Sequence, residues 1–376
     1  STYSSKIAEA LKNTETGSDG NITWKFDAGG EKFNFLNEGE SITITYTINA
    51  DDKQGVTTKA DGNEISTDTT TVTITITGTN SEPVLKTDSV TLTEDNGEVG
   101  ETHPIVSKAG NIFTNDTDPD FNGKDHWNAA SAKESTAGSD TQVATGGSNI
   151  TGKYGTLHLN SNGSYTYTLS NESEPIQSLG HNSSLQEKFT VTVKDGDFSK
   201  TEDLIITING TNDAPVISIP DGESVVTTLL EDGSGIGTVG ADASGKLTLT
   251  DIDTTDAVNV SVKGVALSGT KTGLISNEED ILKMLTLNEA SLSSSESTKD
   301  FTWTFDSGTE AFNYLKNGET LTLTYTVQAQ DNSGKSNNTS NEQTITINIT
   351  GSTNTGSPKN DTGVVEEHGT LNVSAH

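Results

Sequence analysis

A Thr-rich strand that ends in a polar turn and restarts at proline occurs three times in this chain. Residues 72–85 read VTITITGTNSEPVL, residues 204–217 read LIITINGTNDAPVI, and residues 345–358 read ITINITGSTNTGSP. The alternation of Ile or Val with Thr or Asn is typical of a half-buried strand. The three prolines lie 132 and 143 residues apart, which suits one β-domain each rather than a solenoid repeat. This recurring motif therefore predicts the boundaries of tandem β-domains.

A longer internal repeat supports the same organisation. Residues 24–55 match residues 303–334 at a constant offset of 279, so that Trp24 falls on Trp303. We therefore expect the chain to be a segment of a longer protein, cut within repeats at both ends. The predicted domains are 1–82, the C-terminal part of a β-sandwich; 83–214 and 215–357, two complete β-sandwiches; and 358–376, the start of a further repeat.

The composition suits an extracellular β-protein and excludes several classes. The chain has 54 acidic and 22 basic residues and a formal charge of −32, and nucleic acid is excluded as a partner because phosphate contacts need clustered Lys and Arg. No stretch approaches the roughly 18 apolar residues of a membrane span. Cysteine is absent, so no disulfide stiffens the domains. Disorder is rejected because the apolar residues recur with period two.

Strand patterns dominate, and helical patterns are almost missing. Residues 154–169 (YGTLHLNSNGSYTYTL) predict a hairpin whose tight turn is Asn162-Gly163. One short helix is predicted at residues 278–287, with Asn277 as its N-cap. Many short strands joined by Gly, Asn and Asp turns predict an all-β fold of tandem antiparallel Greek-key β-sandwiches. The large aromatic side chains assigned to the cores are Trp24, Trp303, Phe305 and Phe312.

Acidic side chains recur in pairs beside the predicted domain boundaries. Carboxylates two residues apart on an extended chain point to the same side and can share one ion, and Ca²⁺ takes roughly six to eight oxygen ligands. Such pairs occur in KDGD, TDID and NDTDPD, and a Glu-Asp pair follows the first strand of each complete domain. The predicted calcium ligands are Asp52, Asn80, Glu82, Glu94, Asp95, Asp116, Asp118, Asp120, Asp195, Asp197, Asn212, Asp213, Glu231, Asp232, Asp251, Asp253 and Asp331.

Turn chemistry is the alternative interpretation of any single residue in this set. Asp in Asp-Gly and Asn-Asp turns caps backbone N–H groups without a metal. The recurrence of the clusters favours calcium for the set as a whole. The third linker, residues 351–358, has no acidic residue, and the pattern does not favour calcium there.

The motifs together resemble the VCBS repeats of large Gram-negative RTX-type adhesins. GTNDAPV after a Thr-rich strand, GETLTLTYTV before an acidic turn and YGTLHLNSNGSYTYTL carry the resemblance, which covers essentially the whole chain. It implies cadherin-like or immunoglobulin-like extender domains in an extended rod, stiffened by Ca²⁺, exported by type I secretion and located outside the cell or on the bacterial surface. It also implies a role in adhesion and biofilm formation, in which neighbouring repeats hold a domain that binds a glycan or another cell-surface target away from the cell.

Other functions remain as alternatives. The polar, Gly-rich insertion at residues 121–150 contains His126 and Trp127, so it is a candidate contact for a glycan or peptide, against the simpler interpretation of a variable loop. Thr ladders such as the one in residues 71–77 are a weaker candidate for binding ice or another regular lattice, because sandwich sheets twist. An enzyme is not expected, because acids on turns at domain ends do not flank a cleft.

Overall fold

The computed structural model describes residues 10–16, 22–50, 68–95, 104–120, 123–136, 138–231 and 242–353, and it confirms the predicted all-β fold. Its helical segments are short: a 3₁₀ turn (Gly123–His126), α1 (Glu174–Gln177) and α2 (Glu278–Lys283). Its strands are β1 (Leu11–Thr16), β2 (Ile22–Phe26), β3 (Ser41–Ala50), β4 (Asp68–Thr77), β5 (Asp88–Thr93), β6 (Ser107–Asn111), β7 (Trp127–Glu134), β8 (Thr141–Gln142), β9 (Ser148–Thr151), β10 (Gly155–Leu159), β11 (Ser164–Leu169), β12 (Ser184–Asp195), β13 (Phe198–Asn209), β14 (Val216–Ser218), β15 (Val226–Leu230), β16 (Asp242–Thr250), β17 (Val258–Gly269), β18 (Leu285–Asn288), β19 (Ser291–Leu292), β20 (Thr298–Asp306), β21 (Thr320–Asp331) and β22 (Gln343–Thr350).

The chain divides into two compact units, each built from segments far apart in sequence. The first unit comprises Ser1–Thr91, Ser107–Leu169 and Gln186–Thr207. The second unit comprises Leu92–Val106, Ser170–Leu185 and Ile208–His376. These segments do not correspond one to one with the repeats that the sequence predicts, and the domain boundaries stay a prediction.

The sheets of the first unit have non-sequential strand orders. One four-stranded sheet has the order β6-β11-β10-β9, and most of a five-stranded sheet has the order β5-β13-β12-β7-β8. The predicted hairpin is confirmed, because β10 pairs with β11, Leu159 lies opposite Tyr165, and Gly163 has φ 79° in the turn. Strands β1 and β2, and strands β3 and β4, form two further two-stranded sheets.

The second unit is a sandwich of two sheets in which one strand pair is parallel. The sheet orders are β14-β16-β20-β18 and β15-β22-β21-β17-β19. Strand β14 pairs with β16, and after a turn that contains Pro220 and Gly222 (φ 84°) the chain enters the other sheet as β15. Because the chain changes sheet without reversing direction, β15 runs parallel to β22 and not antiparallel as the pattern predicts.

Aromatic side chains fill the core of the second unit. Trp303, Phe305 and Phe312 are each 1% exposed, as predicted, whereas Trp24 is 44% exposed and its assignment to a core is wrong. Strand β16 covers Trp303, since a Cβ added to Gly245 would lie 2.7 Å from the indole ring. In the described ranges β2, which carries Trp24, pairs with β1 alone, so no counterpart of β16 covers that ring.

The two segments matched by the internal repeat share an unusual loop conformation. Phe33 and Phe312 both lie in the left-handed region, with φ of 52° and 54°. Gly39 and Gly318 follow with φ of 79° and 83°. A left-handed conformation is uncommon for a bulky residue, so its recurrence at matched positions shows that the sequence repeat is also a structural repeat.

Helix α2 confirms the predicted helix in part. The side chain of Asn277 caps it by accepting a hydrogen bond from the N–H of Asp280 at 3.0 Å. The helix ends at Lys283, so the predicted end at residue 287 is wrong; β18 begins at Leu285 because pairing with β20 outweighs the helical pattern. Within the part of the chain that the structure describes, no helix has the length and apolar character of a membrane span.

Candidate cation sites at the linkers

The first linker places an amide and three carboxylates together within the first unit. The side chain of Asn80 donates to Oδ2 of Asp195 at 3.2 Å and to its carbonyl oxygen at 3.0 Å. The N–H of Ser81 donates to Oδ2 of Asp120 at 2.9 Å, and the N–H of Asp120 donates to Oδ1 of Asp118 at 2.9 Å. We call these five residues the first linker cluster. A cavity of about 450 Å³ is lined by Asn80, Asp120 and Asp195.

The second linker repeats this arrangement within the second unit. The side chain of Asn212 donates to Oδ2 of Asp331 at 3.2 Å. The N–H of Asp213 donates to Oδ2 of Asp253 at 2.7 Å, and the N–H of Asp253 donates to Oδ1 of Asp251 at 2.9 Å. Two linkers with different sequences therefore hold an Asn, an Asp-x-Asp pair and a strand-end Asp in the same hydrogen-bond pattern.

Glu94 and Asp95 lie at the second linker. Glu94 accepts hydrogen bonds from the N–H of Thr211 at 3.0 Å and from the side chain of Gln177 at 3.3 Å. The hydroxyl of Thr211 donates to the carbonyl oxygen of Asp95 at 2.8 Å. The second linker cluster thus consists of Glu94, Asp95, Gln177, Asn212, Asp213, Asp251, Asp253, Asp256 and Asp331, and it draws on three separate segments of the second unit.

Many oxygens of the second linker cluster are buried without a hydrogen-bond partner. Both carboxylate oxygens of Asp213 are in this state, although the residue is only 1% exposed. Burying an unpaired carboxylate oxygen is costly unless a cation or a donor compensates it. The other such oxygens in the cluster are Gln177 Oε1, Asn212 Oδ1, Asp251 Oδ2, Asp253 Oδ1 and Asp256 Oδ2. Together they form the kind of donor set that calcium takes.

Burial raises the pKa values of the acids in this cluster. The pKa of Glu94 is raised to about 9 and that of Asp213 to about 8, chiefly by burial and further by repulsion from neighbouring carboxylates. The pKa values of Asp251 and Asp253 are raised to about 7 for the same two reasons. A bound cation would lower these pKa values, because an opposite charge nearby favours the ionised form of a carboxyl group.

Carboxylates alone do not complete a metal site in either linker. Across the described ranges, no group of three or more His, Cys, Asp or Glu side chains is placed so that it could hold a metal ion as it stands. Amide oxygens such as that of Asn212, backbone carbonyls and small movements of the carboxylates would have to complete the coordination of an ion.

Several predicted ligands lie elsewhere. Asp197 is exposed in the turn between β12 and β13, and Glu82 forms a surface ion pair with Lys200 at 3.0 Å. Glu231 does not join the second linker; it accepts hydrogen bonds from the N–H and hydroxyl of Ser352, each at 2.9 Å, at the third linker. Asp116 lies apart from the first linker cluster, beside Asp88 and Glu202. Asp52 and Asp232 lie outside the described residues.

Two members of the second linker cluster were not predicted. Asp256 follows the Asp251/Asp253 pair three residues later, and its N–H donates to the carbonyl oxygen of Asp253 at 3.0 Å. The third acid of TDIDTTD was a usable signal for it. Gln177 comes from helix α1, and nothing in the sequence around it indicates that it approaches Glu94.

The segment 121–150 is not the variable loop that the sequence suggests. Strand β7 occupies its centre and pairs with β12 in the five-stranded sheet. Trp127 is 5% exposed, packs edge-on against Phe113 at 5.5 Å between ring centroids, and donates from Nε1 to Oδ2 of Asp118 at 2.8 Å. A buried indole is not available to a glycan, so the aromatic basis of that alternative is wrong.

Comparison with known proteins identifies one domain type. Residues 80–210 match the family model of the bacterial cadherin-like domain. This stretch of the chain has a cadherin-like fold. The matched stretch contains the first linker cluster, together with Glu94, Asp95 and Gln177 of the second. No curated protein matches the chain.

The chain is also remotely similar to three solved structures. Domains EC1-4 of PcdhgB3 are 10% identical, with 93% of this chain and 68% of that chain covered and a TM-score of 0.38. Domains EC1-2 of human protocadherin-24 are 15% identical, with 73% and 100% covered and a TM-score of 0.33. CfaE, the adhesive subunit of the CFA/I fimbria of enterotoxigenic Escherichia coli, is 12% identical, with 72% and 99% covered and a TM-score of 0.34. Likenesses this remote say nothing about function.

The cadherin-like match gives a coarse functional class. Domains of this family are adhesion-related structural modules and not enzymes. They are typically extracellular, and they commonly bind calcium. The orphaned carboxylate oxygens at the linkers fit that chemistry.

Proposed function

We propose that this chain is a calcium-stiffened extender segment of a secreted or surface-anchored bacterial adhesin. The observation that carries the proposal is the second linker cluster, where buried carboxylate and amide oxygens of Asp213, Asp253 and Asn212 have no hydrogen-bond partner. Acidic turns that merely cap backbone N–H groups leave their remaining oxygens in solvent. The unpartnered oxygens of this cluster come from two segments, Ser170–Leu185 and Ile208–His376, and a bound cation would compensate them.

The chain's own residues would hold the ion at defined positions. Asp213 comes from the linker, Asp251 and Asp253 from the turn after β16, Asp331 from the end of β21, and Glu94 from the end of β5. When bound, calcium would neutralise these carboxylates and tie the linker to the segments on either side of it. Glu94 is already oriented by Thr211 and Gln177, so part of the ligand set is ordered in advance.

The first linker supports the same role with fewer orphaned groups. Oδ1 of Asp120 is buried without a partner, and burial raises the pKa of Asp195. At the third linker, Glu231 is instead engaged by Ser352, and no acid follows in residues 351–358. The proposal therefore assigns calcium to the first two linkers and direct protein hydrogen bonds to the third.

The acidity of the chain fits export followed by stiffening outside the cell. With a formal charge of −32, self-repulsion disfavours compaction where calcium is scarce. Extracellular calcium modules have dissociation constants of roughly 10⁻⁴–10⁻³ M, so such sites stay empty in the cytosol and fill outside. On this hypothesis the location of the chain determines when its linkers become rigid.

Thermal unfolding combined with small-angle scattering tests the proposal. A site with a dissociation constant of about 10⁻⁴ M contributes about 2.7 kcal/mol at a hundredfold excess of calcium. We expect a melting temperature that is higher by roughly 5–10 °C in 10 mM calcium than in excess chelator, and a less flexible particle in calcium. Equal melting temperatures and scattering curves in the two buffers would show that the linker acids only cap backbone N–H groups and bind no calcium.

A further inference from the structure

A third group of buried acids lies in the first unit, apart from either linker cluster. It consists of Asp88 at the start of β5, Asp116 after β6 and Glu202 in β13, and we call it the acidic trio. The carboxyl groups of Asp116 and Glu202 are within hydrogen-bonding reach of each other. The charge of Asp88 is close enough to raise the pKa of Glu202, after burial and the charge of Asp116.

The trio is buried where β13 otherwise contributes apolar side chains. Glu202 is 5% exposed and lies on the same face of β13 as Leu204 and Ile206, which are fully buried. Apart from the neighbouring carboxyl group of Asp116, neither carboxylate oxygen of Glu202 has a hydrogen-bond partner. Oδ2 of Asp88 and Oδ2 of Asp116 are also buried and unpartnered, while Oδ1 of Asp116 accepts from the N–H of Lys86 at 2.7 Å.

Positive charge near the trio is insufficient to balance it. Lys86 and Lys124 act on Asp116 from a distance and oppose the rise of its pKa. The amino group of Lys124 is used elsewhere, because it donates to the carbonyl oxygen of Phe113 at 2.8 Å. Within the described ranges no salt bridge reaches a member of the trio.

The second unit shows what the same positions hold when no acid is needed. Asp120 and Asp253 accept equivalent hydrogen bonds from their linkers, so the two residues correspond. The same alignment places Asp116 on Leu249. When the Ile-rich ends of β13 and β22 are aligned, Glu202 falls on Gln343. Leu249 is 1% exposed.

Asp88 completes this comparison. Glu94 follows β5 and Glu231 follows β15, and each accepts a hydrogen bond from a backbone N–H of its linker. When these two glutamates are aligned, Asp88 falls on Val225. Val225 packs against the core of the second unit. A Val, a Leu and a Gln therefore suffice for the fold, and three acids in their place lower its stability unless a ligand compensates them.

We propose that Asp88, Asp116 and Glu202 form an additional calcium site inside the first unit, distinct from the linker sites. All the available donors are oxygens, which suits a hard divalent cation. Three ionised carboxylates with one calcium ion leave a single net negative charge. The trio does not enclose an ion as it stands, so binding includes a movement of the side chains toward one another.

Calcium stoichiometry of the full chain tests this site against the linker sites. The variant D88V/D116L/E202Q carries the residues that the second unit has at these positions, and we expect it to fold and to bind one calcium ion fewer than the parent in isothermal titration with CaCl₂. The single variant E202Q, which keeps the side-chain volume, should weaken the same site at least tenfold. The control D213N should lose a different ion and leave the trio occupied.

The outcomes separate this site from the proposed function. A D88V/D116L/E202Q variant with the calcium stoichiometry of the parent would overturn the site and show that the trio shares protons instead. Loss of one ion in that variant, with D213N also losing one, supports both proposals. Loss only in D88V/D116L/E202Q and E202Q supports the internal site and counts against the linker sites. A parent chain that binds no calcium overturns both.

Discussion

The backbone N–H of Asp213 donates a 2.7 Å hydrogen bond to Oδ2 of Asp253, while both carboxylate oxygens of Asp213 are buried without a partner. The hydrogen bond orders the linker backbone, and it directs an unsatisfied carboxylate into a cluster that already contains Asp251 and Glu94. The backbone of Asp213 thus makes a structural hydrogen bond, while its buried carboxylate has neither a hydrogen-bond donor nor a counter-charge within the described part of the chain. This separation allows each part to be tested by substitution.

Replacing Asp213 by Asn should have opposite effects with and without calcium. In excess chelator at pH 9, above the folded-state pKa of about 8, the change removes a buried charge, and we expect stabilisation on the order of 1–3 kcal/mol. In calcium it removes a ligand, and we expect a lower free energy of unfolding than that of the parent. The measurement is urea unfolding in both buffers. The exposed Asp197→Asn serves as the control and should change neither value; equal destabilisation by D213N in both buffers would contradict a ligand role.

Metal-free stability should fall as pH rises. The folded-state pKa values of Glu94 and Asp213 are raised to about 9 and about 8, far above their unfolded values near 4. The folded state therefore binds protons more tightly than the unfolded state, and its advantage is full below about pH 4 and is lost as pH rises through the folded pKa values. Each such group contributes up to about 1.4 kcal/mol per pH unit within that window.

Denaturant unfolding in chelator at pH 5, 7 and 9 measures this dependence. Saturating calcium should flatten or reverse this pH dependence of stability, because the ion then replaces the protons bound to the carboxyl groups of the second linker cluster. A metal-free stability that stays constant or increases between pH 5 and pH 9 would show that the second linker cluster is not buried in solution.

Substitution of Trp127 should affect both stability and the first linker. Trp127→Phe removes the 2.8 Å hydrogen bond from Nε1 to Asp118 and keeps an aromatic ring beside Phe113. Hydrogen bonds to charged groups are worth roughly 1.5–3 kcal/mol, and we expect a loss of that order in urea unfolding. Calcium affinity at the first linker should also decrease, because Asp118 loses the contact that orients it. The matched control is Trp24→Phe at an exposed site, which should cost less than about 0.5 kcal/mol.

Two glycines in different sheets of the second unit, Gly245 in β16 and Gly264 in β17, should respond differently to substitution by Ala. A Cβ added to Gly245 would lie 2.7 Å from the Trp303 ring, and overpacking of this kind costs roughly 1–3 kcal/mol. A Cβ added to Gly264 meets nothing within 4 Å, so Gly264→Ala should stay within about 0.5 kcal/mol of the parent. Thermal unfolding compares them, and equal effects would mean that β16 does not cover Trp303 closely.

Local patterns predicted the parts of this protein whose structure depends on neighbouring residues. The hairpin at Asn162-Gly163 and the Asn277 cap follow from turn and capping chemistry over a few residues. The segment 285–287 shows where this stops, because its apolar spacing suits a helix and its pairing partner β20 makes it a strand. Contacts between strands depend on the whole sheet, and no local window contains them.

Sequence by itself determined the period-two strands, the tandem repeat and the presence of acids at each of the first two linkers. Only the tertiary structure decided which groups meet, since Glu94 accepts hydrogen bonds from Gln177 and from the N–H of Thr211 in distant segments, while Glu231 accepts from Ser352. It also decided that Trp127 is buried and Trp24 exposed. The physical reason is that strand alternation fixes which side a residue faces, whereas burial and electrostatics depend on what the fold packs against that side.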